Sequence, residues 1–415
     1  MRLRLLKKNV AAMFLVISVI LFIFFYSKLV ITNERVVGEN FSPEGTQAVS
    51  INKFQYGTVL NMRKSVYDSN YRQFVQNGDK FPDEPEVVII VQVHNRPAYL
   101  QMLIQSLEKA AEIHRFFVVF SHDYFSEEIG DLVKGITFCK VLQIHFPYSK
   151  QLYPNEFPGQ DPQDCPRDIS KENAKKIGCV NAEHPDTYGH YREASITQTK
   201  HHWWWKLHFV FERVKLLQGY KDFAVFIEED NYILPDFYQF FKSMTKLRNS
   251  HCEDCDVLAL GNHDGVSHFV ELSAKTETSG WMSTKHNIGV GISREVYYKL
   301  MGCNSEFCTY DDYNWDWTLQ NLSGTCIKKP LKVLVARGTR VLHTGDCGLH
   351  HKEACHPDLA QHKVETDLRE ITPALFPQTL TLTGHGPVEH KPHMKNGGWG
   401  DVRDHTLCIN YAARL

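Results

Sequence analysis

The stretch FAVFIEEDNYILPDF, Phe223 to Phe237, runs five apolar residues straight into three acids. Five consecutive apolar side chains do not alternate in and out of a core. The run therefore reads as a short strand buried on both faces, as in a parallel sheet covered by helices. Glu228, Glu229 and Asp230 then stand at its carboxyl end. Open α/β sheets bind ligands at that edge, and three crowded carboxylates there repel one another unless something positive lies among them. A hard metal ion is one partner that would answer this, and an exposed turn of simply solvated acids is the alternative.

Upstream, EVVIIVQVHNRPAYLQMLIQSLEKA combines a buried strand, Val87 to Val93, with Leu100, Leu103, Ile104 and Leu107 at helical spacing behind Pro97. HRFFVVFSHD supplies a second strand ending at Asp123 and KVLQIHF a third, so strand, helix and strand repeat. Downstream, DVLALG and IGVGISREVYYKL add a strand and a strand–helix unit. The pattern predicts an α/β fold, a mainly parallel sheet flanked by helices. Neither a GxGxxG dinucleotide fingerprint nor a P-loop is present.

The formal net charge of −2 over 415 residues gives no reason to expect nucleic acid. At the N-terminus, Arg2, Arg4, Lys7 and Lys8 precede the uncharged run Val10 to Tyr26, and Lys28 follows it. The run exceeds a typical signal-peptide core, so it reads as an uncleaved anchor with its positive end cytosolic; a cleaved signal peptide is the alternative. The expected organisation is a cytosolic tail (1–9), a transmembrane signal anchor (10–28), a polar luminal stem (29–82) and a luminal catalytic domain (83–415). Eleven cysteines in such a domain should mostly be oxidised, with at least one left over. Cys139, beside an apolar run, is the expected free thiol, and Cys252–Cys255 and Cys165–Cys179 are the expected local pairs, with redox chemistry at CEDC as the rival reading. Cys303, Cys308, Cys326, Cys347, Cys355 and Cys408 allow 15 pairings. Asn40 and Asn321 carry glycosylation sequons.

Three further segments concentrate chemistry. In RVLHTGDCGLHHKEAC, His343 ends an apolar run as Asp230 follows its own, which suits a second group in the same pocket; a hydrogen-bonded strand-end histidine is the bland reading. Cys347, His350, His351 and Cys355 in the same segment offer a zinc site as the rival to a disulfide. CTYDDYNWDWTLQN sets Asp311, Asp312 and Asp316 among Tyr310, Tyr313, Trp315 and Trp317, rings that offer faces to sugar C–H groups and carboxylates able to accept a hydroxyl proton; a core role for the tryptophans, Trp317 above all, is the alternative. In QTKHHWWWKLHF, Lys200, His201 and His202 could offset a diphosphate, and three adjacent tryptophans cannot share one helix face.

Together VQVHNRPAYL, FSHD, LYPNEFPGQDPQDCPRD, GHYREA, QTKHHWWWKLHF, EEDNYILPDFY, FCTYDDYNWDWTLQ, HTGDCGLHH and KNGGWGDVRDH resemble the N-acetylglucosaminyltransferase II family, from Val87 to the C-terminus. Asn262 to Gly280 and His356 to Pro392 are looser. The resemblance implies a Golgi type II membrane enzyme with a GT-A fold, a UDP-GlcNAc donor, an N-glycan acceptor and Mn²⁺ as cofactor. It implies transfer of N-acetylglucosamine in β-1,2 linkage to the α-1,6-arm mannose. By the same likeness Asp230 and His343 are the metal ligands, with Glu229 beside them. Gln92, Val93, His94, Asn95, Arg96 and Asp123 line the nucleotide pocket, Gln198, Thr199, Lys200, His201 and His202 close over the donor, and Asp316 is the general base. An inverting transfer needs only one such base, because a metal acts on the leaving group. Another inverting transferase, a glycoside hydrolase with paired carboxylates, or a lectin with only the aromatic surface are the other classes these residues allow.

Overall fold

The computed structural model describes residues 45–348, 354–388 and 394–414, with side chains from Thr58 on. The chain divides into two units, Met1–Thr58 and Val59–Leu415. The compact unit therefore begins well before the expected boundary at residue 83. The final turns of a helix spanning Gly45–Arg72 belong to it: Val66 is buried, and Asn70 exchanges two hydrogen bonds with the His145 backbone, at 2.7 and 2.8 Å. The expected anchor at 10–28 and the sequon at Asn40 lie outside the described residues. Among the described residues no helix is long and apolar enough to cross a membrane.

Twelve strands are described: β1 (Val75–Gln76), β2 (Val87–Val93), β3 (Phe116–His122), β4 (Lys140–His145), β5 (Ala224–Glu228), β6 (Asn231–Ile233), β7 (Val257–Ala259), β8 (Lys275–Gly280), β9 (Val290–Ile292), β10 (Lys332–Ala336), β11 (Val341–His343) and β12 (Thr381–His385). Ten form one sheet in the order β1-β4-β3-β2-β5-β9-β7-β10-β8-β12. The parallel block β4-β3-β2-β5 matches the expectation from the apolar runs. Beyond it the sheet is mixed, because β9 runs antiparallel to both β5 and β7.

Alternate residues of β2 feed opposite layers, as the period of two requires. Val88 and Ile90 pack with Trp203, Trp204 and Leu207, while Val87, Ile89 and Val91 pack with Leu100, Leu103, Leu107 and Phe237. All three adjacent tryptophans are buried. Trp203 stacks on Trp315 at 4.3 Å, Trp204 on Phe307 at 3.8 Å, and Trp205 meets Phe146 edge-on at 5.7 Å, so none is left for a ligand. The core tryptophan of the WDW segment is thus Trp315, not Trp317, which is only half-buried.

The cysteines pair as Cys165–Cys179, Cys252–Cys255, Cys303–Cys326, Cys308–Cys408 and Cys347–Cys355, with Cys139 free and buried. The disulfide between Cys347 and Cys355 uses up both thiolates of the rival zinc reading, whose histidines, His350 and His351, lie outside the described residues.

Candidate active site

The opening stretch folds as two strands rather than one. β5 ends at Glu228, and the Glu229 amide still donates to the Gln92 carbonyl at 2.9 Å, prolonging the ladder with β2. The chain then leaves the main sheet, and β6 pairs antiparallel with β11 in the register Asn231↔His343. The same departure divides the long apolar run before His343. Its first part stays in the sheet as β10, and buried Arg340, paired with buried Asp236 at 2.9 Å, anchors the crossing. Asp230 precedes the residue opposite His343, so register alone brings them together: His343 Nε2 lies 3.5 Å from Asp230 Oδ2.

The positive charge the three acids demand is Arg96. Its Nε donates to Glu229 Oε1 at 2.7 Å and one terminal nitrogen to Asp230 Oδ2 at 2.7 Å and to the Cys347 carbonyl at 3.0 Å. Glu229 and Asp230 are buried, whereas His343 is half open to solvent. Burial raises the pKa of Glu228 and Glu229 against the pull of Arg96. For Asp230 burial works the same way, but the His343 contact and the Arg96 charge outweigh it and hold the carboxyl below its usual value. Asp230 Oδ1 is buried without a hydrogen-bond partner, an acceptor with spare capacity pointing at the chemistry of a cation.

Beside this cluster, at the ends of β2 and β3, the His94 amide donates to Glu229 Oε2 at 2.8 Å and its Nδ1 lies 2.6 Å from Asp123 Oδ1. Val93, itself buried, accepts from the Asp123 amide. His202 sits 3.5 Å from the other Asp123 oxygen and 2.8 Å from Ser121 Oγ, and Gln198 donates to the Asp123 carbonyl at 3.3 Å. Two histidine neighbours keep Asp123 ionised against its burial. Gln92, His94, Arg96, Asp123, Gln198, His202, Glu229, Asp230 and His343 thus form one continuous network, with Asn95 exposed at its rim.

Lys200 and His201 do not join it. They share the Ala194–Glu212 helix with Gln198 and His202 but point elsewhere: Lys200 donates to the Tyr310 and Asp312 carbonyls at 2.9 and 2.8 Å, and His201 bridges Asp404 and Tyr411 of the C-terminal segment, each at 2.9 Å. Thr199 lies half-buried between them. Of the basic cluster Lys200, His201 and His202, only His202 joins the network, because a helix turns successive side chains about 100° apart. Lys206, not singled out by sequence reasoning, does reach the site. It is buried, donates to Gln92 Oε1 at 2.7 Å, and burial draws its pKa down to about 7 while Glu228 pulls it back up.

Asp316 opens the helix Trp315–Thr325 and is buried. Its Oδ2 accepts from Ser283 Oγ at 2.7 Å and Asn287 Nδ2 at 3.0 Å, and its Oδ1 from the Trp317 amide at 2.9 Å. Burial raises its pKa and these donors lower it. Asn287 precedes β9 by three residues, and Val290 of β9 is paired with Phe226 of β5, so Asp316 stands at the same sheet edge as the acids. Its two rivals are committed elsewhere. Asp311 binds Thr187 and the Trp399 amide, and Asp312 binds Asn314 and Asn396 through both oxygens.

Comparison with known proteins finds relatives along most of the chain. The profile of the N-acetylglucosaminyltransferase II (MGAT2) family matches residues 63–408. The chain is 52% identical over 356 residues to the alpha-1,6-mannosyl-glycoprotein 2-beta-N-acetylglucosaminyltransferase of Rattus norvegicus, covering 85% of this chain and 80% of the relative. The Homo sapiens protein of that name is 52% identical with the same coverage, and that of Arabidopsis thaliana 33% identical over 346 residues, 81% of this chain and 77% of the relative. Among solved structures, the mannosyltransferase PcManGT from Pyrobaculum calidifontis in complex with GDP-Man and Mn²⁺ aligns over 80% of this chain and 87% of its own, at 9% identity and a TM-score of 0.33. With nearly the whole compact unit matched, and with the acid cluster, Arg96 and His343 brought to one sheet edge, the chain belongs to the N-acetylglucosaminyltransferase II family.

Proposed function

We propose that the protein transfers N-acetylglucosamine from UDP-GlcNAc, in β-1,2 linkage and with inversion, to the α-1,6-arm mannose of N-glycans on glycoproteins, on a GT-A-type fold. The observation that carries this is the meeting of Asp230 and His343 beside the Arg96–Glu229 pair, next to the Asp123 network at the ends of β2, β3 and β5. A buried carboxylate oxygen without a partner and a half-open imidazole are donors suited to Mn²⁺ or a similar divalent cation. Among the described residues no three His, Cys, Asp or Glu side chains form a complete cage, so its other ligands would be phosphate oxygens and water. Held there by Asp230 and His343, the cation would neutralise charge on the departing diphosphate.

The chain's own residues supply the rest. Arg96 fixes Glu229 and Asp230 in place, and His94 and Asp123 border the space for the nucleoside. Asp316 takes the proton of the mannose hydroxyl. The freed oxygen bonds to C1 of the sugar as the C1–O bond to the diphosphate breaks, and the electron pair leaves with UDP. One displacement inverts the anomeric carbon. A hydrolase would need a second carboxylate flanking the bond, and Asp311 and Asp312 are occupied in packing the chain.

Five disulfides and the basic residues before the apolar run 10–26 support a luminal catalytic domain on a type II anchor in the Golgi membrane. The test is a UDP titration with and without Mn²⁺, alongside turnover on an N-glycan acceptor whose α-1,6-arm mannose is unsubstituted. Metal-dependent UDP binding and loss of turnover in Asp316→Asn with donor affinity kept are expected. Metal-independent UDP binding, or release of free sugar as the main product, would refute the reading.

A further inference from the structure

The carboxylate of Asp316 has two unequal oxygens. Oδ2 accepts two hydrogen bonds, from Ser283 Oγ at 2.7 Å and Asn287 Nδ2 at 3.0 Å, which fills its ordinary capacity. Oδ1 accepts one, from the Trp317 amide at 2.9 Å, and keeps a lone pair. We infer that Ser283 and Asn287 are positioning residues: by saturating Oδ2 they reserve Oδ1 as the atom that receives the acceptor's proton. The inference rests on Asp316 being the base and goes beyond it by naming which oxygen acts and what selects it.

The segment carrying both donors is built to hold still. Trp281 Nε1 donates to the Asp316 carbonyl at 3.1 Å, and the Ser283 amide donates to Gln320 Oε1, one turn along the same helix, at 3.0 Å. Asn287 is oriented in turn by His263 Nε2, 2.8 Å from its amide oxygen, which leaves the amide nitrogen to face Asp316. Ser283, Asp316 and Gln320 are all buried, so a carboxylate that lost these donors would find little water to replace them. The titratable groups that interact with Asp316 are Asp312, whose charge disfavours the carboxylate form, and Tyr313, both on its own segment; on the segments packed against it, His263 lies behind Asn287, and His286 shares the short helix of Ser283 and accepts from the Met282 amide.

Removing a donor from a buried carboxylate lets it rotate and disfavours its charged form. The acidic limb of the kcat–pH profile therefore moves to higher pH. The experiment compares Ser283→Ala, Asn287→Ala, Ser283→Thr and Asp316→Asn. Each is measured for kcat against pH, acceptor KM, UDP affinity with Mn²⁺ and melting temperature. The inference expects kcat to fall about 10-fold or more in Ser283→Ala and in Asn287→Ala, with the acidic limb raised, UDP affinity unchanged and Ser283→Thr close to wild type. If Ser283→Ala does not fold, Asn287→Ala, a half-buried site, carries the test. If Asp316→Asn loses turnover while the two alanine variants keep both kcat and the wild-type acidic limb, the positioning role is wrong and the base stands. If Asp316→Asn keeps turnover, both fall. A loss of turnover matched by weaker UDP binding, without a shift of the limb, would assign the segment to scaffolding and overturn the inference.

Discussion

Gly345 lies so close to Asp230 that a Cβ placed on it would stand 2.0 Å from Asp230 Oδ2. The two are held there by Thr344, whose amide and hydroxyl both donate to the Asp230 carbonyl, at 2.8 and 2.7 Å. A side chain at 345 therefore has no room unless the carboxylate moves. Gly345→Ala should displace Asp230 from His343 and Arg96 and lower metal-supported turnover at least 10-fold. The backbone conformation itself stays open to alanine, since no left-handed φ is required there. A Mn²⁺ titration checks this. Unchanged half-saturation in Gly345→Ala would show that the carboxylate's position is not what matters.

Asp230→Asn keeps the shape of the side chain but takes one negative charge from beside Arg96. Its expected effect is loss of Mn²⁺-supported transfer with the fold retained. His343→Ala removes a half-exposed ring that packs little, so it should raise the Mn²⁺ concentration needed while leaving the melting temperature within a few degrees. Turnover in His343→Ala at wild-type metal concentrations would move the second ligand elsewhere.

Asp404 is buried between Arg192 at 2.8 Å and His201 at 2.9 Å. Burial raises its pKa, but Arg192 and His201 more than offset this and bring it down to about 2 from 3.8. A carboxyl depressed in the folded state contributes stability above its unfolded pKa and loses it as pH falls through the folded one. The contribution, about 2 kcal/mol, is present above pH ~4 and is lost between roughly pH 4 and 2. Asp404→Asn should therefore be less stable at neutral pH and show a flatter acid limb in that window. Chemical denaturation at pH 7, 4 and 2.5 reads the difference, and parallel curves for the two proteins would contradict the assignment.

The thiol at Cys139 is buried, and burial pushes its pKa up. It should resist alkylation in the native protein at pH 8 and react once unfolded. Cys308→Ser should cost about 2–5 kcal/mol by opening a cross-link between residues 100 apart. Intact-mass measurement after alkylation tests the first statement and denaturant unfolding the second. Rapid native labelling of Cys139 would be inconsistent with its packing.

The parts readable from sequence are those governed by local pattern. Val87–Val93 and Ala224–Glu228 announce themselves because a strand buried on both faces must be apolar throughout, and the switch from apolar residues to acids marks where the second strand ends. Cys139 is legible as the free thiol from the apolar run beside it, and Cys252–Cys255 and Cys165–Cys179 because nearby cysteines close small loops, whereas Cys347–Cys355, only 8 residues apart, stays open between a disulfide and a metal site until the fold pairs them. Tertiary structure alone decided the rest. Whether the apolar run before His343 is one strand or two depends on where Arg340 finds Asp236, 104 residues away. The three tryptophans and Lys200, His201 and His202 are neighbours in sequence, yet helical rotation sends Lys200 to the Asp312 carbonyl, His201 to Asp404 near the C-terminus and His202 to Asp123. Arg96 as counter-ion to the acids, and Ser283 and Asn287 as partners of Asp316, left no local signal. Their hydrogen bonds close across 29 to 134 residues of chain, and only the packed sheet brings such distant groups within reach of one another.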